Sequence, residues 1–100
     1  MRPCKEGSVM LFVKEQSVNV PLPSGAGLKL LLTNLGPDIC FFEITNDPNY
    51  LTRIPTTTEG GGMPVMEKQA LEISLSMDDS RLSVISQGMN TLCATRARVL

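Results

Sequence analysis

Few residues in this chain could do chemistry, and they are easily named. Gly60-Gly61-Gly62 is followed by Lys68, which raises the question of a phosphate-binding loop. Such a loop needs backbone N–H groups converging at a helix N-terminus and a lysine next to Ser or Thr. Here Gln69 follows the lysine, Pro64 removes a donor, and the spacing G-x-x-x-x-G-K is absent. The triplet reads instead as a hinge that ends a crossing between two parts of a fold. Asp78 and Asp79 are adjacent carboxylates without the spaced acidic set of a calcium loop, and Met77-Asp78-Asp79-Ser80 reads as a solvated turn. Glu43 and Glu72 would be a catalytic pair only if they faced one cleft; each occupies the polar phase of an alternating run, where a surface charge is expected. The chain has no histidine, which removes Ser-His and Cys-His nucleophile systems and most zinc sites. The expectation is a protein that is not an enzyme and uses no cofactor or metal.

The composition limits partners as well. One hundred residues make one domain, 1–100. Nine basic and ten acidic residues are spread evenly, for a net charge of −1, so no block marks a nucleic-acid or membrane partner. A single-strand binder also wants exposed aromatics beside a basic groove, and the chain offers only Phe12, Phe41, Phe42 and Tyr50. No run is long enough to span a bilayer, and MRPCKEGSVMLFV is too short in apolar residues for a secretory leader. Synthesis and retention in a cytosol, or in a particle assembled there, is expected. Cys40 and Cys93 fall in strand-like runs and read as small buried apolar groups; the alternative, a disulfide or redox site, suits an oxidising compartment.

The elements that must position these residues have period two. Leu28, Leu30 and Leu32 share a face opposite Lys29, Leu31 and Thr33; Cys40, Phe42 and Ile44 alternate with Ile39, Phe41 and Glu43; Leu71, Ile73 and Leu75 alternate with Glu72, Ser74 and Ser76. Alternation of this kind marks half-buried strands. RLSVIS and TLCATRARV continue it, SVMLFV adds to it, and SVNVPL belongs at an edge or end because of its prolines. Asn34–Asp38, Met77–Ser80 and Gln87–Asn90 carry turn chemistry with spacings that suit antiparallel hairpins. Between Thr45 and Gly62 the strand signal fades. That stretch, 45–62, is expected to be a long crossover between sheets, with a short strand around Leu51–Ile54. Six to eight strands with little or no helix predict an all-β antiparallel sandwich, jelly-roll-like.

Protein contacts are the remaining candidates. Tyr50, Leu51, Arg53 and Ile54 lie in the long connection, and Tyr and Arg are enriched at interface hot spots; packing on the domain's own core is the equal alternative. Arg96 and Arg98 would share a strand face, either pairing with a partner's carboxylates or keeping a final edge strand soluble. Residues 1–8, including Arg2, could form an arm reaching a neighbour or a fraying terminus.

The order LLLTNLGPDICFFEI, GGGMPVMEKQALEISL, RLSVISQGMNTLCAT resembles a pattern in small β-sandwich virion proteins of tailed bacteriophages. It is carried by Thr33, Asn34 and Gly36; by Gly62, Pro64 and Val65; and by Ile85, Ser86, Gly88, Leu92 and Thr95. The resemblance covers about residues 28–95 and departs after Thr95, where TRARVL replaces a glycine-rich tail. It implies a capsid decoration, or cement, protein on the outer surface of the virion, made in the host cytoplasm. Its partners would be the major capsid protein or another virion protein and its own copies, as a dimer or trimer. A neck, tail or fibre component, or a small sugar- or peptide-binding β module using the Tyr50 loop, are the alternatives.

Overall fold

The computed structural model describes residues 2–23 and 27–98, with the side chains of 2–7 and 98 left aside. Among these residues the chain forms eight strands and no helix: β1 (Arg2–Val13), β2 (Val18–Pro21), β3 (Lys29–Gly36), β4 (Cys40–Thr45), β5 (Met63–Val65), β6 (Ala70–Ser74), β7 (Arg81–Ser86) and β8 (Asn90–Arg98). They build two four-stranded sheets with the orders β1-β8-β3-β6 and β2-β7-β4-β5, here called sheets A and B. Every pairing is antiparallel. The first strand pairs with the last, the second with the seventh, the third with the sixth and the fourth with the fifth. The chain is thus one long ribbon, doubled back between β4 and β5 and rolled over itself. That is a jelly roll, and the all-β sandwich expected from the alternation is what forms.

The alternation also fixes the core. Leu30 and Leu32 from β3, Cys40 and Phe42 from β4, Leu75 after β6, Leu82 and Val84 from β7, and Leu92 and Ala94 from β8 are buried in one cluster, with Ile44, Leu71 and Ile73 packed against it. Burying such a side chain contributes about 1.5–3 kcal/mol, which explains why the apolar phase of each strand turns inward. Asn34 continues the phase of Leu30 and Leu32 and is fully buried. Its amide donates to the carbonyls of Asp38 (2.7 Å) and Val65 (2.8 Å), and its Oδ1 accepts from Gly36 N–H (2.8 Å). A buried amide is tolerated when its bonds are made, and Asn34 thereby ties the β3–β4 link to β5.

The connections run opposite to the expected pattern. Asn34–Asp38, Met77–Ser80 and Gln87–Asn90 are not hairpins, because each joins strands in different sheets. The long segment, by contrast, does not cross between sheets: it joins β4 to β5, neighbours in sheet B. It is the fold-back of the ribbon, and the short links are the corners where the ribbon rolls. Length and turn residues alone do not distinguish a hairpin from a corner, since both reverse the chain within a few residues. No strand forms at Leu51–Ile54. The proposed arm, 1–8, lies within β1 from Arg2 onward, paired to β8 with a shift in register between Pro3 and Ser8; Met1 lies outside the described residues. The edge position expected for SVNVPL is correct, with β2 at one margin of sheet B.

Candidate protein-binding surface

Each sheet has an outer face, and the two are treated differently. On sheet B the outward phase includes Ser17, Asn19, Phe41, Glu43, Arg81, Ser83 and Ile85. Ser83 is fully buried and Phe41 only 7% exposed, although their phase points away from the core. The fold-back, residues 46–62, lies over them. Thr52 N–H is shared between Ser17 Oγ (2.9 Å) and Ser83 Oγ (3.0 Å), and Asn19 Nδ2 donates to the carbonyls of Asp47 and Tyr50, both at 2.9 Å. Arg81 donates to Asn19 Oδ1 and holds that amide in place. The Tyr50 hydroxyl donates to Glu43, a bond that raises the phenol's pKa above its ordinary value.

Within the fold-back the chain closes on itself. Asp47-Pro48-Asn49-Tyr50 is a turn with Tyr50 N–H on Asp47 C=O (3.2 Å) and Asn49 N–H on the Asp47 carboxylate (2.9 Å). A narrow loop follows, with Gly62 N–H on Arg53 C=O (2.9 Å), Thr56 N–H on Glu59 C=O (2.9 Å), and Arg53 paired with Glu59 at 3.5 Å. The glycines serve this closure. A Cβ on Gly61 would collide with the Arg53 carbonyl and lie 2.7 Å from Pro55 N; one on Gly62 would lie 2.6 Å from Thr52 Cγ2 and 2.9 Å from Phe42 N. Their lack of a side chain, rather than a hinge between sheets, is what the fold uses at 61 and 62.

Sheet A has no such cover among the described residues. Its outward phase, read across the register, sets Met10 beside Cys93, Thr33 and Ala70, Ser8 beside Thr95, Leu31 and Glu72, and Phe12 beside Thr91. Phe12 is 78% exposed and Met10 56%. Leu35, at the end of β3, adds to the same side. Among the described side chains, the charges on this face are Lys29 of β3 and Glu72 of β6, which pair at 3.7 Å, and Lys29 also donates to Ser74 (2.8 Å). Away from that pair the described outward side chains are small, hydroxyl-bearing or apolar, with the Phe12 ring largely exposed.

Against this geometry the expected contact residues divide. Leu51 and Arg53 project from the fold-back and Tyr50 is partly exposed, while Ile54 is half-buried. Tyr50 is held to sheet B by its hydroxyl on Glu43 and by its carbonyl, which accepts from Asn19 Nδ2. Arg96 is a correction: β8 is an inner strand, not an edge, and Arg96 stands opposite core-facing Leu30. Its guanidinium donates to Gly27 C=O (2.7 Å) and Pro23 C=O (3.4 Å), fastening the β2–β3 link. Arg2 and Arg98 pair across β1 and β8, and their side chains lie outside those described. Glu43 and Glu72 sit on the outer faces of opposite sheets, so they do not share a cleft. Cys40 is buried, which is the main cause of a thiol pKa raised above its ordinary value, and it accepts from Asn90 Nδ2 (2.9 Å). An open groove of about 290 Å³ lies between the β1–β2 and β7–β8 corners, lined by Lys14, Glu15, Gln16, Gly88 and Met89; it brings together no catalytic constellation. Among the described residues no group of three acidic, Cys or His side chains could hold a metal, and no helix is long and apolar enough to cross a membrane.

Met10 and Phe12 were not singled out from the sequence. SVMLFV is apolar in both phases, so its outward side carries no polar label; that double phase is itself the available signal. No family model, curated protein or solved structure matches the chain.

Proposed function

We propose that this β-sandwich is a non-enzymatic structural protein of a tailed-phage particle, decorating the outer capsid surface and cementing it through contacts with the major capsid protein. The observation that carries the reading is the outer face of sheet A, uncovered among the described residues and largely apolar, with Phe12 78% exposed. Burying one such ring is worth about 1.5–3 kcal/mol, and the charges described on the face, Lys29 and Glu72, are already paired with each other. Contacts of that size are weak singly and strong in an oligomer bound at several points. A jelly roll by itself does not select this role, since the fold also serves lectin and cupin domains. The sequence resemblance over residues 28–95 adds the phage context.

The sugar- or peptide-binding alternative calls for a concave pocket at Tyr50, whose hydroxyl here is engaged by Glu43. The experiment is a copy count on purified particles of the source phage, by cryo-electron microscopy and quantitative mass spectrometry. Hundreds of copies on the head are expected. A few copies at the neck, tail or fibre would move the chain there, and none on any particle would end the virion reading. Thr33→Lys, at the centre of the bare face, is expected to lower head occupancy at least tenfold without unfolding the domain.

A further inference from the structure

We propose that two copies of this chain join through the free edge of β1, pairing antiparallel over Val9–Val13 into one continuous eight-stranded sheet. This stands independently of the shell reading, because it concerns the free protein.

A sandwich has four sheet margins, here β1, β6, β2 and β5. Exposed edges invite pairing with other chains, and proteins blunt them with short strands, prolines and charges. Three of the four carry such devices along their length, whereas β1 carries them only in its first half, as Arg2, Pro3, Lys5 and Glu6. β2 is four residues long and ends in Pro21; β5 is three residues long and contains Pro64; β6 carries Glu72 at its centre and follows Lys68. The margin formed by Ser8-Val9-Met10-Leu11-Phe12-Val13 has neither proline nor charge, and its partner β8 occupies only the other side. Its row of outward backbone N–H and C=O groups is therefore open to another strand.

A second copy is the occupant because the contact then closes. Like edges meeting about a two-fold axis form an isologous dimer, whereas β1 against a different margin would propagate as an open chain and would meet a proline or a charge. Self-pairing also brings no like charges together along Val9–Val13. Residues opposite one another in an antiparallel pair share a face, so an axis at Leu11 keeps both copies in phase. It sets Val9 against Val13 and Leu11 against Leu11 on the core side, and Met10 against Phe12 outside, a sulfur–aromatic contact. Leu11, Val18 and Val20 are only half-buried on this side of the core, which leaves apolar surface for the partner to cover.

The test is sedimentation velocity across about 1–200 µM, since an edge contact smaller than a standard interface gives affinity in the weak range. Wild type is expected to dimerise reversibly. Met10→Lys with Phe12→Lys sets like charges opposite each other and should weaken the dimer at least tenfold, whereas Met10→Lys with Phe12→Glu sets opposite charges there and should keep it. Both side chains are exposed, so circular dichroism and thermal unfolding should confirm intact folds. Hydrogen exchange should show new protection in the dimer of the alternate amides within Val9–Val13 that point away from β8. A monomer throughout, a dimer without that protection, loss of the dimer in the mixed-charge variant, or pairing of β1 only with a foreign extended peptide would each overturn the proposal.

Discussion

The outer faces of the two sheets are opposites. Sheet B turns outward serine, asparagine, glutamate and arginine beside Phe41 and Ile85, and the chain's own fold-back bonds to the polar ones. Sheet A turns outward methionine, leucine, threonine and phenylalanine, and solvent meets them. A polar face can be covered from within because each hydrogen bond fixes a backbone group of the cover: Asn19, Ser17 and Ser83 between them hold Asp47, Tyr50 and Thr52. Apolar contact is less directional and holds a loop of this kind poorly, but it suits a rigid partner that brings its own surface. The polar side chains of sheet B are thus committed to the fold, and the largely apolar face of sheet A meets solvent.

Several measurements would break or sharpen that contrast. The largest effect is expected from Gly62→Val, which forces a side chain against Phe42 and Thr52 and should destabilise the domain by about 3 kcal/mol, at the upper end of overpacking costs; chemical denaturation reads it. Wild-type stability in that variant would mean that the fold-back is not seated on sheet B as described. Ser83→Ala removes one of two acceptors for Thr52 N–H and a donor to Tyr50 C=O (3.3 Å), and should cost about 1–2 kcal/mol. It should also raise protease cutting within 46–62. Thr52 Oγ1 is buried without a partner, so Thr52→Val should be neutral or stabilising by up to about 1 kcal/mol. A loss above that would assign the hydroxyl a bond.

A smaller effect should follow pH. The Tyr50 phenol is held above its ordinary value, so the folded state keeps this proton more tightly than the unfolded chain does. The stability it adds is fully present below the unfolded value, near 10, and is lost as pH rises through the higher folded one. Exchange or proteolysis of 46–62 should therefore accelerate above about pH 10 in wild type but show no such step in Tyr50→Phe. The smallest change in stability is expected on the bare face: Phe12→Ser should alter unfolding by no more than about 0.5 kcal/mol, as for a surface site. If it cost several times that, Phe12 would be a packed residue and sheet A would not be free.

Much of the fold was legible because strand phase is a local property. Leu30 and Leu32, Cys40 and Phe42, Leu71 and Ile73 each announce an inward side by alternating with the residues next to them in the chain, and burial follows that phase. The prolines of SVNVPL likewise placed it at a margin. Asn34 was visible as part of a turn motif; that it is a core amide could have been read from its place in the phase of Leu30 and Leu32. Ser83 offered no such clue, being in the polar phase and buried only because a segment thirty residues earlier lies over it.

What the sequence determined by itself was most of the strands, their inward faces and the absence of histidine chemistry, since these depend on side-chain type and spacing along a few residues. β5 (Met63–Val65) and the missing strand at Leu51–Ile54 were not among them. Which links turn within a sheet and which roll to the other, where the fold-back settles, and which apolar side chains remain outside were decided only in the tertiary structure. The reason is physical: sheet partnership and cover are contacts between segments distant in the chain, and a corner between sheets uses the same turn residues as a hairpin within one.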